Sequence, residues 1–466
     1  VRVDDLKHAK DLAEAGELDL SWDIVNRQLT TNPDDPLALL IASYIMEKSN
    51  KPVLAYHLAR RVSELAPTRF EGWNNFGRAA DMLWMVEVSE RAIRRAINAA
   101  RTDKDKATAL LNLSALYINI GRFSEAEKLA EQSLETDYSA KGKANLGFCQ
   151  LARRNWEEGW DNYKFSLGIM PRMKVQYADE PEWDGTKGQA VAIYGEQGIG
   201  DEISFASMLP DAGKDCKKVI IDCDKRLKNL FQRSFPWACV YGTRSDKAVD
   251  WAAEDRQIDA SASMGSLGGI YRRSADSFDG EPYLTPDKDR VTMWEALWKS
   301  KGKPVIGIAW TGGINRTGAT YRQWSLDDLL PVFTAIDAHW VCLQYKDAEP
   351  EIAEFLRRHP SVSLTQYPFA TLSKDYDDTA ALVASLDMVV CVQTAIAHLA
   401  GALGKKCIVC VPKNSQWRYG SDGDTIPWYK SVSVYRQHKL GEWSNVINRL
   451  ANSVKREFGS VVKDAA

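Results

Sequence analysis

The sequence predicts an α-helical repeat region followed by two doubly wound α/β units. Three observations carry this expectation. Apolar residues recur at intervals of three and four from Asp4 to about Leu167, with no strand-like alternation. That stretch is self-similar at an offset of 33 residues. Beyond it, short apolar runs alternate with helical segments, as parallel strands covered on both faces do.

The repeat is visible residue by residue. Shifted by 33, Ala107 falls on Ala140, Asn112 on Asn145 and Leu113 on Leu146. Glu125 falls on Glu158, Ser133 on Ser166, Leu134 on Leu167, and aromatic Phe123 on Trp156. Asn32-Pro33 and Ala66-Pro67 end two helices 34 residues apart. Small residues at Ala55, Ala59, Ala126 and Ala130 supply close-packing faces. About four units fit, and the third, around Trp73 to Ala100, reads as off-register, with a longer loop. A unit of this length resembles the tetratricopeptide repeat, and Asn119-Ile120-Gly121-Arg122-Phe123-Ser124-Glu125-Ala126 matches that family's inter-helix turn. Stacked helix pairs form a curved solenoid whose concave face suits a partner or an acceptor; the alternative is a scaffold that holds the next domain, with a homo-oligomer as one way of doing so.

Composition narrows the class. The chain has 466 residues, 45% of them hydrophobic, and a net charge of −3. Two or three domains are expected, and nucleic acid is not indicated as a partner. No run of 18 apolar residues predicts a membrane span. Val1 to Asp5 has no apolar signal-peptide core, so a cytoplasmic location is expected. Cys407-Ile408-Val409-Cys410 has a redox or metal spacing, but it lies in a strand-like run where the two thiols diverge. Six dispersed histidines offer no metal pair.

Periodicity breaks at Met170-Pro171, and Glu180 to Gly185 is turn chemistry. The domains expected are therefore repeats over 1–168, a linker over 169–188 and α/β units over 189–290 and 300–466. Strands are predicted at Ala190–Tyr194, Lys218–Cys223, Cys239–Tyr241 and Gln257–Asp259. A second series is predicted at Pro304–Trp310, Trp340–Gln344, Ser361–Leu364, Met388–Val392, Cys407–Val411 and Ser431–Tyr435, with a closing helix from Trp443 to Phe458.

The unusual residues gather at strand ends, where such folds bind ligands. Tyr194-Gly195-Glu196-Gln197-Gly198-Ile199-Gly200-Asp201-Glu202 reads as strand, glycine turn and helix start. Trp310, Thr311 and Gly312 end another strand, followed by Arg322. Gln344 and Lys346 end a third, and Gln393, Thr394, Ala395 and His398 a fourth, followed by Trp417 and Arg418. One side supplies carboxylates. The other supplies cations, hydroxyls and helix N-termini that suit an anionic leaving group such as a diphosphate. A carboxylate across the cleft suits a general base for a hydroxyl.

Gly195 to Asp201 resembles the opening motif of GT-B glycosyltransferases of the heptosyltransferase-like type (glycosyltransferase family 9), in the branch fused to tetratricopeptide repeats. Pro181 to Gly185, Asp378 to Val390, Thr394 to Lys405, Trp417-Arg418 and Pro427-Trp428-Tyr429 extend the match over essentially residues 1–440. More distantly the architecture is similar to protein O-GlcNAc transferases. The resemblance implies Asp201 as general base, with Glu196 beside it, and donor contacts from the loop after Trp310, from Lys346 and from the block ending in His398. Gln197, Gly198 and Gly200 would form the acceptor-side loop. It implies inversion at the sugar carbon without a metal, a nucleotide-diphosphate sugar as donor substrate rather than any prosthetic group, and a protein, glycan or lipid-linked acceptor presented by the repeats. One position departs from it: relatives carry Asp where this chain has Gln393, which keeps hydrogen bonding but loses the charge.

Each residue also has a plainer reading. Asp201 can cap the following helix, and Glu196 can satisfy turn amides. His398, Trp310 and Trp417 can pack, and Arg322 and Lys346 can be surface charges. The rival to the enzyme is a GT-B-fold binding or structural protein that has lost turnover and uses its repeats as an interaction scaffold.

Overall fold

A computed structural model describes residues 3–169, 171–246, 249–251, 258–313 and 318–459. It divides into two compact units, Val1–Cys149 and Gln150–Ala466.

The first unit is built from antiparallel helix pairs. These are α1 (Val3–Ala15) with α2 (Leu18–Thr31), α3 (Pro36–Lys48) with α4 (Pro52–Leu65), α5 (Phe70–Met82) with α6 (Val86–Ala99), and α7 (Asp103–Asn119) with α8 (Phe123–Thr136). A fifth pair in sequence, α9 (Ala140–Ala152) and α10 (Trp156–Tyr163), runs across the boundary between the units. Each pair turns on one left-handed residue: Gly16, Asn50, Trp84, Gly121 and Arg154, with φ of 91°, 56°, 58°, 77° and 63°. Such a turn reverses the chain in a few residues and recurs with the repeat. Ala9, Ala42, Ala55, Ala59, Ala80, Ala92, Ala96, Ala126 and Ala130 are buried where helices meet, because short side chains let backbones approach. Buried hydroxyls tie partner helices together, Ser21 donating to the Ala9 carbonyl at 2.6 Å and Ser89 to that of Gly77 at 2.8 Å. Among the described residues there are thus five helix pairs rather than about four. The third keeps its register, and the extra length lies in α7, which has 17 residues against 13 in α5.

The second unit holds two parallel sheets. The first contains β1 (Ala190–Tyr194), β2 (Lys218–Asp222), β3 (Cys239–Tyr241) and β4 (Ala260–Ser263), in the order β3-β2-β1-β4. The second contains β5 (Val305–Ala309), β6 (His339–Cys342), β7 (Ser363–Gln366), β8 (Met388–Val392), β9 (Cys407–Val411), β10 (Thr425–Ile426) and β11 (Tyr429–Arg436). Its order is β10-β11-β9-β8-β5-β6-β7, with only the β10–β11 pairing antiparallel. The expected strand at Gln257–Asp259 is replaced by β4, which begins at Ala260; Gln257 itself lies outside the described residues. The closing helix Ser444–Phe458 buries Val446, Ile447, Leu450 and Val454 in the same apolar core as Ile306, Ile308, Trp310 and Trp340.

Strand order reverses between β1 and β4 in one sheet and between β5 and β8 in the other. At such switch points the following helices leave to opposite sides and open a crevice at the carboxyl ends of the strands. Those ends carry Gly195 to Asp201, Thr311 to Gly313 and Gln393 to Ala395.

The expected linker is tied into the fold. Arg172 is buried and is the hub of a polar cluster. It donates to the Tyr163 carbonyl at 3.1 Å, to the Ser166 and Ser263 hydroxyls at 2.9 Å each, and to Glu196 at 3.2 Å. α10 belongs with the α/β unit: the Trp160 indole donates to the Arg272 carbonyl at 2.8 Å, and a Cβ on Gly268 would come within 2.3 Å of its ring.

Candidate functional site

The glycine turn after β1 is shaped by what lies behind it. A Cβ on Gly195 would sit 2.3 Å from the Glu202 carboxyl carbon, so only glycine lets that side chain fold back beneath the turn. There Glu202 accepts the Asp224 amide at 2.8 Å and pairs with Arg244 at 2.5 Å. Burial pushes its carboxyl up to about 8, against the pull of Arg244. The turn then enters α11 (Ile199–Phe205), and Asp201 accepts the Gly198 amide at 3.2 Å. The capping reading of Asp201 is therefore present in the structure, on one carboxylate oxygen.

Its other oxygen pairs with Arg418, which arrives from the loop beyond β9. Asp201 stays 18% exposed in its side chain while Arg418 is 4% exposed. The Arg418 guanidinium lies 5.2 Å from the Trp417 ring and 5.5 Å from that of Phe205, contacts that suit a delocalised cation. It also donates to Gln416 Oε1 at 3.0 Å, and the Gln416 amide donates to Gln393 Oε1 at 3.2 Å. The Nε2 of buried Gln393 has no hydrogen-bond partner among the described residues. A chain of contacts thus leads from Asp201 through Arg418 and Gln416 to Gln393.

The loops meet closely. Gly200 packs on the helix Ala395–Ala402, where a Cβ would lie 3.2 Å from the Ala395 Cα. A Cβ on Gly312 would lie 2.6 Å from the Gln393 carbonyl and 3.3 Å from the Thr394 Cβ. Gln344 donates to the Thr311 hydroxyl at 2.6 Å. No side chain among the described residues caps the helix that begins at Ala395. Gln197, Gly198, Gly200, Asp201, Thr311, Thr394, Ala395 and Gln416 all keep solvent exposure.

Arg322 is the unusual cation. It is 6% exposed, and among the described residues it has neither a hydrogen bond nor an ion pair. Burial lowers its guanidinium to about 10, with Arg418 adding repulsion and Tyr419 opposing it. Two buried arginines therefore act on one another, and only one of them has a carboxylate among the described residues.

Several expected ligand contacts fall elsewhere. Trp310 is fully buried in the core, with its indole N–H 3.2 Å from Glu351, so its ring does not face the crevice. Trp417 is packed among Trp160, Tyr163, Phe205 and Trp428, and it supports Arg418 rather than lining an opening. His398 is not a cation. Burial, with repulsion from Arg418, lowers it to about 3, and its ring nitrogens sit 3.2 Å from the Tyr429 hydroxyl and 3.1 Å from that of Tyr419. Lys346 is exposed, with its ammonium over the Tyr345 ring. Glu196 is buried, accepts the Gly265 amide at 3.1 Å and is held by Arg172; burial pushes its carboxyl up, while Arg172 pulls it down. Among the described residues no group of acids, histidines and cysteines could hold a metal ion.

Sequence reasoning passed over Arg172, Gln416 and Tyr419, and it read Tyr429 as part of the Pro427-Trp428-Tyr429 block without linking it to His398. A cavity of about 810 Å³ opens beside Thr311, lined by Gln323, Trp324, Asp328, Glu351 and Trp443 among others.

No protein-family model matches the chain. Protein FlbA of Caulobacter vibrioides is 28% identical over 456 residues, covering 92% of this chain and 74% of the relative. A thermophilic TPR protein of Thermus thermophilus is similar over 36% of this chain and 91% of its own, at 19% identity and a TM-score of 0.32. MamA is similar over 34% of this chain and 92% of its own, at 18% identity and a TM-score of 0.29. No helix among the described residues is long and apolar enough to cross a membrane.

Proposed function

We propose that the chain is a glycosyltransferase of GT-B type that takes a sugar from a nucleotide-diphosphate sugar and transfers it, with inversion and without a metal, to an acceptor hydroxyl. The observation that carries this reading is Arg322, a buried guanidinium with no partner among the described residues. A buried charge is costly unless something neutralises it. Arg418, the uncapped helix at Ala395 and the Thr311 and Thr394 hydroxyls border the same crevice, and a diphosphate matches that set. The adjoining cavity has the size of a small-molecule site.

In this reading Asp201 accepts the proton of the acceptor hydroxyl. The oxygen forms a bond to the anomeric carbon as the bond from that carbon to the phosphate oxygen breaks, and its electron pair leaves with the nucleoside diphosphate. Arg322, Arg418 and the helix amides stabilise the charge that develops there. The helix pairs of the first unit offer a surface for the acceptor or a partner. Two features favour the alternative of a binding protein without turnover: Asp201 is engaged by Arg418, and Gln393 is uncharged.

A thermal-shift panel of UDP-, GDP-, ADP- and dTDP-sugars tests the donor site. Stabilisation by at least one is expected, and stabilisation by none rejects the enzyme. With the stabilising donor in hand, Asp201→Asn should remove transfer while nucleotide is still bound. Transfer at the wild-type rate would reject Asp201 as base.

A further inference from the structure

The Asp201–Arg418 pair joins the group read as the base to a group read as a phosphate ligand. While joined, the two hinder one another. A base needs a carboxylate oxygen open to the acceptor hydroxyl, and Asp201 has one oxygen on the Gly198 amide and the other on Arg418. A phosphate ligand needs free N–H donors, and Arg418 already spends Nη2 on Asp201 and on Gln416 Oε1. Arg322, which is close enough to Arg418 to repel it, has no anion among the described residues.

We propose that Asp201 stands in for the donor's diphosphate at Arg418, and that donor binding exchanges one anion for the other and so frees the base. Arg418 is then a positioning residue as well as a donor contact. The proposal rests on the donor-site reading above and adds to it what holds Arg418 before the donor arrives. The exchange needs little motion. Arg418 is fixed by its ring contacts and by Gln416, and its planar fork has donors besides the one facing Asp201. A diphosphate seated between Arg418 and Arg322 satisfies both cations, which one carboxylate does not. Asp201 is the more exposed partner and lies in the short α11, so it is the one free to turn away. No bond is made or broken in this step.

The exchange makes a linkage prediction. Asp201 and the diphosphate compete for one cation, so removing the carboxylate strengthens diphosphate binding. Isothermal titration of the full chain with UDP, GDP, ADP, dTDP and inorganic pyrophosphate measures it, in wild type and in Asp201→Asn, with circular dichroism to show that the variant is folded. At least one probe is expected to bind the variant about 5-fold or more tighter, a factor at the low end of known coupling. The Arg418→Gln background tells exchange from a general field effect. There, Asp201→Asn should leave affinity within about 2-fold, because the shared cation is gone.

Equal or weaker binding to Asp201→Asn overturns the exchange while leaving the donor site intact. The same gain with and without Arg418 overturns it too, since the charge would then act at a distance. Binding of no probe to either protein overturns the donor-site reading itself, and the exchange with it.

Discussion

At the scale of single residues, stability and binding pull against one another at Arg322. A buried guanidinium without a carboxylate carries an uncompensated desolvation cost in the free protein. Replacing it with an apolar side chain of similar length removes that cost. Arg322→Met is therefore expected to leave stability unchanged or raise it by about 1–3 kcal/mol, read as Tm or the urea midpoint. The same variant should lose nucleoside diphosphate binding by titration. A variant that loses stability and keeps binding would place Arg322 in the scaffold instead. Arg172 shows the opposite case. It is buried as well, but its donors meet three serine hydroxyls, a carbonyl and the Glu196 carboxylate. Local sequence does not tell these two arginines apart, since what separates them is the set of acceptors that the fold brings to each.

Among elements, the repeat turn offers the sharpest test. Five helix pairs turn on a residue of positive φ, and only Gly16 and Gly121 among the five are glycine. The left-handed backbone costs other residues about 1–2 kcal/mol, so Gly121→Val should lower stability by about that amount, measured by urea denaturation. The helix Ala395–Ala402 makes a prediction about acid. His398 is held at about 3, below its ordinary value of 6.5. Between those values the unfolded chain binds a proton that the folded chain does not. The stability His398 contributes is thus complete above pH 6.5 and is lost as pH falls. About 2 kcal/mol should go between pH 6.5 and about 5, and His398→Gln should flatten that slope of stability against pH. The elements themselves were largely legible. β1, β8 and β9 lie where the apolar runs put them, because a strand buried on both faces is continuously apolar; β3 does too, although Cys239 is exposed. β4 was misplaced because Ala260-Ser261-Ala262-Ser263 has small residues instead of a β-branched run, and β10 has two residues, too few to form a pattern.

For the whole molecule, the two compact units suggest a division of labour. A chain that begins at Asp137, directly after α8, keeps α9, α10 and the α/β unit. It should bind nucleoside diphosphates with wild-type affinity by titration and should lose whatever acceptor preference the full chain has. A weakened nucleotide site would show that the division lies elsewhere. The loops of the site could be read from the sequence because glycine turns at strand ends leave a local signature. The traffic between them could not. That Arg418 would meet Asp201, or that two tyrosines would flank His398, depends on residues 21 to 217 positions apart in the chain.

The unpaired cation also bears on how long the protein lasts in a cell. A ligand that binds only the folded chain stabilises it by about 2.7 kcal/mol at a hundredfold excess over its dissociation constant. A change of that order is enough to alter abundance several-fold through chaperones and proteases. On the function proposed above, Arg322 would tie turnover of the polypeptide to the supply of the donor: starved of it, the cell would degrade the protein faster, and a pulse-chase measurement under donor depletion would record the shorter half-life.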